Sequence, residues 1–191
     1  MSKPNYVLAF DTSVPHCAAA LLCDGEVLGT ACEAMSRGQS ERLMPLIEEL
    51  LARHDVTWQD LSRIGVGIGP GNFTGIRISV SAARGLALGL DIPAIGISSF
   101  DALRTGTSGL AAVAAPRDMA YLQVDTAPPE LVARADIPET TLWIEDGAEM
   151  VAAMARLAAQ RTPDIAPAPL YLRPADAAPP RDAPPVILHD S

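Results

Sequence analysis

A glycine-rich turn between an apolar run and a long helical pattern constrains this chain most strongly. The run at residues 64–68 is short and continuous, which is typical of a strand buried on both faces. The turn at residues 69–75 contains three glycines and a proline. Because glycine has no side chain, the turn allows close approach to a neighbouring group, and the helix after it directs free N–H groups there. The turn therefore predicts either a phosphate-binding loop or a tight strand-to-helix connection, and spacing alone favours the connection.

The order of the remaining patterns predicts the fold class. Three β-prone runs come first, and Asp24-Gly25 between the second and third is typical of a two-residue hairpin. Strands are predicted at residues 6–10, 17–23, 27–32, 64–68 and 93–97, and helices at 40–54 and 74–90, the second capped by Asn72 or Thr74. The order β-β-β-α-β-α-β predicts an α/β fold, a ribonuclease-H-like or actin-like mixed sheet with flanking helices.

The second half of the chain has weaker patterns. A short helix is predicted at residues 100–104, strands at 110–115, 119–124, 130–135 and 141–144, and an alanine-rich helix at 147–160. Eight prolines after residue 162 oppose regular structure there. We therefore predict two lobes, the second of them short: residues 1–98 form the first lobe, 99–161 a reduced second lobe, and 162–191 a proline-rich tail.

Composition excludes several classes of function. The 191 residues carry a net charge of −9, which argues against unaided binding of nucleic acid. Lys3 is the only lysine, so the turn at 69–75 cannot be a Walker-type phosphate loop. The three cysteines have no C-x-x-C spacing, and no run resembles a signal peptide or a membrane span. We expect a cytoplasmic protein with reduced thiols and no membrane association.

Residues with catalytic potential are few. His16, His54 and His189 are far apart and lack metal-ligand spacing, so we predict no metal site. No serine lies in a G-x-S-x-G elbow, and we predict no catalytic residue. The turn of Asp11, Thr12 and Ser13 has two readings. In an actin-like plan its acid lies beside a magnesium-bound phosphate, whereas in the simpler reading Asp11 only accepts local N–H groups.

Several segments resemble the bacterial TsaB family. They are residues 7–13, 40–47 and 69–78, with further agreement at 98–103 and 171–174. The resemblance implies an actin-like fold without catalytic function. It also implies an accessory role in attaching threonylcarbamoyl to N6 of adenosine 37, in tRNAs that read codons beginning with A. The implied partners are the TsaD and TsaE proteins, with tRNA reached only through the complex and a homodimer when alone. ATP is used by the complex, and no cofactor is bound by this chain alone.

The same resemblance implies where the sites lie. Partner contacts are expected on the helices at 40–54 and 74–90. The interface residues are predicted to be Leu43, Leu46, Ile47, Leu50, Ile76, Ser79, Val80 and Ala83. Vestigial nucleotide-binding residues are predicted to be Asp11, Thr12, Ser13, Gly69, Gly71, Thr74 and Gly75. The alternative function is an actin-like ATP-binding phosphotransferase that uses the Asp11 and Gly69-to-Gly75 loops.

The second lobe departs from the family pattern. An acidic residue of the family's stretch is replaced here by Ala114, and a glycine by Asp118. Both changes argue against a nucleotide-binding cleft between the lobes.

Overall fold

The computed structural model describes residues 4–172. Lys3, His189 and the part of the predicted tail from residue 173 onward lie outside the described residues.

A five-stranded mixed sheet forms the centre of the fold. Its strands are β1 (Tyr6–Asp11), β2 (His16–Cys23), β3 (Glu26–Ala34), β4 (Leu61–Gly67) and β5 (Ala94–Ile97), in the order β3-β2-β1-β4-β5. The first three strands pair antiparallel, and β4 and β5 continue from β1 in parallel. This arrangement confirms the predicted ribonuclease-H-like or actin-like fold class. The hairpin is also confirmed, because Asp24 and Gly25 both have positive φ, as a two-residue turn of type I′ requires.

Helices cover both faces of this sheet. On one face lie α1 (Gln39–Ala52) and α2 (Phe73–Leu90), which contribute their apolar stripes to a core with β1, β2 and β4. On the other face lies α4 (Gly147–Gln160), packed against the small residues of β1 and β2. The sequence grouped this alanine-rich helix with the second lobe, but its buried residues complete the core of the first sheet. Its alanines allow a close approach to Ala9, Ala18 and Ala20.

A second sheet of three antiparallel strands follows the short helix α3 (Ser99–Leu103). Its strands are β6 (Ala111–Ala115), β7 (Met119–Gln123) and β8 (Glu130–Ala133). The strand predicted at residues 141–144 is wrong, since only Leu142 forms a single parallel bridge, with Ala111. Within residues 4–172, no helix is long and apolar enough to cross a membrane.

Candidate functional site

The glycine-rich turn packs directly against the turn that ends β1. The N–H of Asn72 donates to the Ser13 carbonyl over 2.6 Å, and Thr12 Oγ1 donates to the Gly75 carbonyl over 2.6 Å. A Cβ atom added at Gly71 would overlap the Ser13 carbonyl oxygen, and one at Gly75 the Thr12 carbonyl oxygen. Glycine is required at both positions because one backbone touches another. This favours a tight strand-to-helix connection over a phosphate-binding loop.

The N-terminus of α2 is capped by a side chain of the same turn. Asn72 Oδ1 accepts from the Gly75 N–H over 2.9 Å, so the capping prediction is confirmed for Asn72, whereas Thr74 is an exposed helical residue. Gly69 has a φ of 93° and its carbonyl accepts from the Ser99 N–H. The turn thus connects α2 to β1 and to α3, and its glycines do not surround an open anion site.

Asp11 is held by donors from its own hairpin. Its carboxylate is fully buried, and Oδ2 accepts from the Ser13 N–H and hydroxyl at 3.0 Å and from His16 Nε2 at 2.8 Å. Oδ1 has no hydrogen-bond partner among the described residues and lies against Gly67, where a Cβ would overlap it. His16 was missed as a site residue by the sequence analysis. The hairpin register could have found it, because Asp11 pairs with Ala18, two residues after His16 on the same face.

A cleft of about 1480 Å³ opens between the two sheets. Its lining is mostly apolar, with Val14 on the first side and Val113 on the second, and it includes the polar side chains of His16 and Asp146. On its far wall the Arg134 guanidinium lies 4.9 Å from the centre of the Trp143 ring. In the part of the chain that the structure describes, no group of three His, Cys, Asp or Glu residues is placed to hold a metal ion.

The predicted interface residues face the inside of the protein. Each of the eight is at most 3% exposed and belongs to the core beneath α1 and α2, except that Ser79 uses its hydroxyl to donate to the Gly67 carbonyl. They cannot touch a partner while the chain is folded. The prediction chose the wrong side of both helices, because an apolar stripe that covers the chain's own sheet has the same spacing as one that covers another protein. The eight predicted interface residues that the structure places in the core are Leu43, Leu46, Ile47, Leu50, Ile76, Ser79, Val80 and Ala83.

The outer face of α2 is exposed and has small side chains. Ser81, Gly85 and Gly89 lie along it, and Leu88 beside them is 86% exposed. A Cβ atom at Gly85 or Gly89 would meet nothing within 4 Å. We call this exposed strip, Ser81, Gly85, Leu88 and Gly89, the outer strip of α2.

The exposed surfaces of α1 and α2 carry arginines and acids. Arg77 stacks on Phe73 with 3.9 Å to the ring centre and donates from Nε to the Tyr171 hydroxyl over 2.8 Å. Arg84 is exposed and makes no ion pair within residues 4–172. On α1, Arg42 bonds both Glu33 and Glu49, and these hydrogen bonds hold the pKa of each carboxyl below its usual range.

Comparison with known proteins gives one matching family model. It covers residues 26–134 and is described as TsaD, tRNA N6-adenosine threonylcarbamoyltransferase. Curated relatives include a protein of Escherichia coli strain K12, 36% identical over 52% of this chain and 43% of its own length. A relative from Bacillus subtilis strain 168 is 41% identical over 51% of this chain and 42% of its own length. Both are described as tRNA threonylcarbamoyladenosine biosynthesis protein TsaB, and the matched part of this chain spans less than half the length of either.

Solved structures from Pseudomonas aeruginosa share the fold. One is described as an uncharacterized protein with similarity to peptidase YeaZ; it superposes with a TM-score of 0.72 at 25% identity, over 88% of this chain and 100% of its own. A second, described as YeaZ, has a TM-score of 0.68 at 24% identity with the same coverage.

Proposed function

The chain belongs to the TsaB family, within the group that the TsaD family model covers, and from this premise we propose that it is a non-catalytic scaffold and activator subunit in tRNA threonylcarbamoyladenosine biosynthesis. In this proposal the chain binds TsaD and thereby supports transfer of threonylcarbamoyl to N6 of adenosine 37. The ATPase TsaE completes the assembly, and tRNA is reached only through the complex. The protein acts in the cytoplasm.

The observation that carries the proposal is the outer strip of α2. A glycine within a helix costs about 0.5–1 kcal/mol relative to alanine. Gly85 has no neighbour within 4 Å that would demand its small size, and Gly89 has none either. Leu88, between them, exposes 86% of its surface. A second helix lying across the strip accounts for all three residues. Its backbone could approach closely because the glycines have no side chains, and it would cover the leucine.

The charges beside the strip suit a protein partner. Arg84 is exposed at the edge of the strip without an ion pair in the described chain, and can meet a carboxylate across an interface. The exposed carboxylates of Glu41 and Glu48 lie on the neighbouring helix α1. Basic α2 and acidic α1 are complementary to a second copy turned by a two-fold axis. We therefore propose that the chain forms a homodimer through this surface when TsaD is absent.

The rest of the structure suits a scaffold better than an enzyme. The sheet and the two buried stripes hold α1 and α2 in fixed positions, so the outer strip is presented as a rigid surface. Asp11, the one fully buried carboxylate among residues 4–172, is bonded to Ser13 and His16. In this proposal the chain contributes binding energy and geometry, and the chemistry takes place on TsaD.

Replacing Gly85 with tryptophan tests the docking surface. The indole would stand where the partner helix must approach, so we expect TsaD to bind at least about tenfold more weakly. The chain's own fold should persist, because the site opens to solvent. Affinity chromatography with TsaD and a thermal melt would measure the two effects. The control is Gln160→Trp, an exposed substitution at the end of α4 on the opposite face of the sheet. Undiminished binding by the Gly85 variant would show that TsaD does not dock on this strip.

The phosphotransferase alternative draws support from the cleft beside the Asp11 turn. We expect isothermal titration of the isolated chain with Mg-ATP to give no micromolar binding. The reasons are that the two turns pack on each other and that Asp11 is already bonded to His16. Micromolar binding together with phosphate release would overturn the scaffold proposal.

A further inference from the structure

Three residues with no part in the proposed contact with TsaD, Asp11, His16 and Cys32, lie together beneath the first turn of α4. The strand register places Asp11 opposite Ala18, and Ala18 opposite Cys32, so these residues form one row across β1, β2 and β3. His16 is two residues before Ala18 and points to the same face of the sheet. It therefore lies between the carboxylate and the thiol, at the end of the cleft.

His16 is a buried base with one free nitrogen. The residue is 6% exposed, and its Nε2 lies 2.8 Å from Asp11 Oδ2. Because a carboxylate only accepts, this contact places the single proton of the neutral ring on Nε2 and leaves a lone pair on Nδ1. Nδ1 has no hydrogen-bond partner in the described part of the chain. A Cβ added at Gly147 would overlap Nδ1 and would also lie 2.7 Å from Cys32 Sγ, so both atoms border the same small space.

Cys32 is the accessible member of the group. It is exposed and lines the cleft together with His16. Although the residue is exposed, partial desolvation of its sulfur raises the pKa of the Cys32 thiol, and the carboxylates of Asp146, Asp11 and Glu33 raise it further. The thiol is therefore protonated at neutral pH and reacts fast only if a base removes its proton as it attacks.

We propose that Cys32 is a nucleophile assisted by His16, which accepts an activated acyl group, such as that of an ester or thioester, entering through the cleft. The Cys32 Sγ–carbonyl bond forms and the bond from the carbonyl carbon to the leaving oxygen or sulfur breaks. His16 Nδ1 takes the thiol proton and returns it to the leaving group. Asp11 is a positioning residue that holds the ring in the tautomer with Nδ1 free. This acylation does not depend on the TsaD-binding proposal, since it uses the other face of the sheet.

Acetylation of the full chain by p-nitrophenyl acetate, followed by peptide mass spectrometry, tests the proposal. Cys23, whose thiol lies 3.7 Å from the Asp24 carboxylate, is the internal reference thiol. General-base assistance predicts that Cys32 is acetylated at least about tenfold faster than Cys23. His16→Gln is expected to reduce the Cys32 rate to that of Cys23 while the Cys23 rate stays unchanged. Equal rates at the two thiols in the unmodified protein would overturn the proposal without any variant.

A second measurement tests the role of Asp11. Nitrogen NMR of the imidazole is expected to show the proton on Nε2 in the unmodified protein. In Asp11→Ala the ring loses the acceptor of its Nε2 proton, so we expect the Nδ1 tautomer to become populated and the Cys32 rate to fall with it. A ring proton on Nδ1 in the unmodified protein would contradict the assignment of His16 as the base.

Discussion

Substitution of Gly75 by alanine is expected to destabilise the protein by about 2–4 kcal/mol, one of the largest effects of a single methyl group in this chain. The added Cβ would overlap the Thr12 carbonyl oxygen, which is backbone and cannot rotate away. The same two residues are joined by the bond from Thr12 Oγ1 to the Gly75 carbonyl. Separating the turns to admit the methyl group would therefore also weaken this buried bond. Urea unfolding, monitored by circular dichroism, would measure the change in the free energy of unfolding.

Gly85→Ala is the matched control for Gly75→Ala, because both glycines lie in α2. At Gly85 the methyl group enters open space, so we expect the higher helix propensity of alanine to raise stability by about 0.5–1 kcal/mol. If the same substitution lowers stability at Gly75 and raises it at Gly85, the effect of close packing is separated from that of helix propensity. If Gly75→Ala were as stable as the unmodified protein, the two turns would not be in contact, and a turn open to a ligand would again be the better reading.

The first sheet could be predicted from the sequence because its signals are local. Alternating or continuous apolar runs, the Asp24-Gly25 turn and the glycine-rich turn each mark an element within a few residues. The order of these elements then restricts the topology, since parallel strands need a helical crossover. The prediction of a strand at 141–144 was wrong: Leu142 bridges Ala111 of the edge strand β6, but its neighbours do not continue the pairing, and an apolar run does not show this.

The candidate site was harder to predict, because its properties arise from contacts between distant segments. The sequence places glycines at 71 and 75 but does not show that they face Thr12 and Ser13 instead of a phosphate. Nor does it show that α4 crosses the first sheet and brings Gly147 onto His16. The apolar stripes of α1 and α2 were recognised, but hydrophobicity does not distinguish a core from an interface. Only the position of the helices on the sheet settles which face is covered.

The two faces of α2 give the second large prediction, through a pair of charged substitutions. Ala83→Glu is expected to prevent folding, because residue 83 is 0% exposed and a carboxylate there would be buried among apolar side chains. Any loss of TsaD binding would then follow from unfolding. Leu88→Glu changes a residue that is 86% exposed, so stability should stay within about 0.5 kcal/mol of the unmodified protein.

For Leu88→Glu we expect TsaD to bind at least about tenfold more weakly, because the substitution would place a charge in the apolar centre of the contact. Circular dichroism and co-purification with TsaD, performed on both variants, would distinguish the two losses. A folded Ala83→Glu protein that fails to bind TsaD would show that the inner face of α2 becomes accessible to the partner. Full binding of TsaD by a folded Leu88→Glu protein would show that TsaD does not cover the outer strip, and the glycines at 85 and 89 would then need another explanation. The two variants therefore decide whether the outer strip of α2 is the proposed contact with TsaD, a question that the spacing of apolar residues left open.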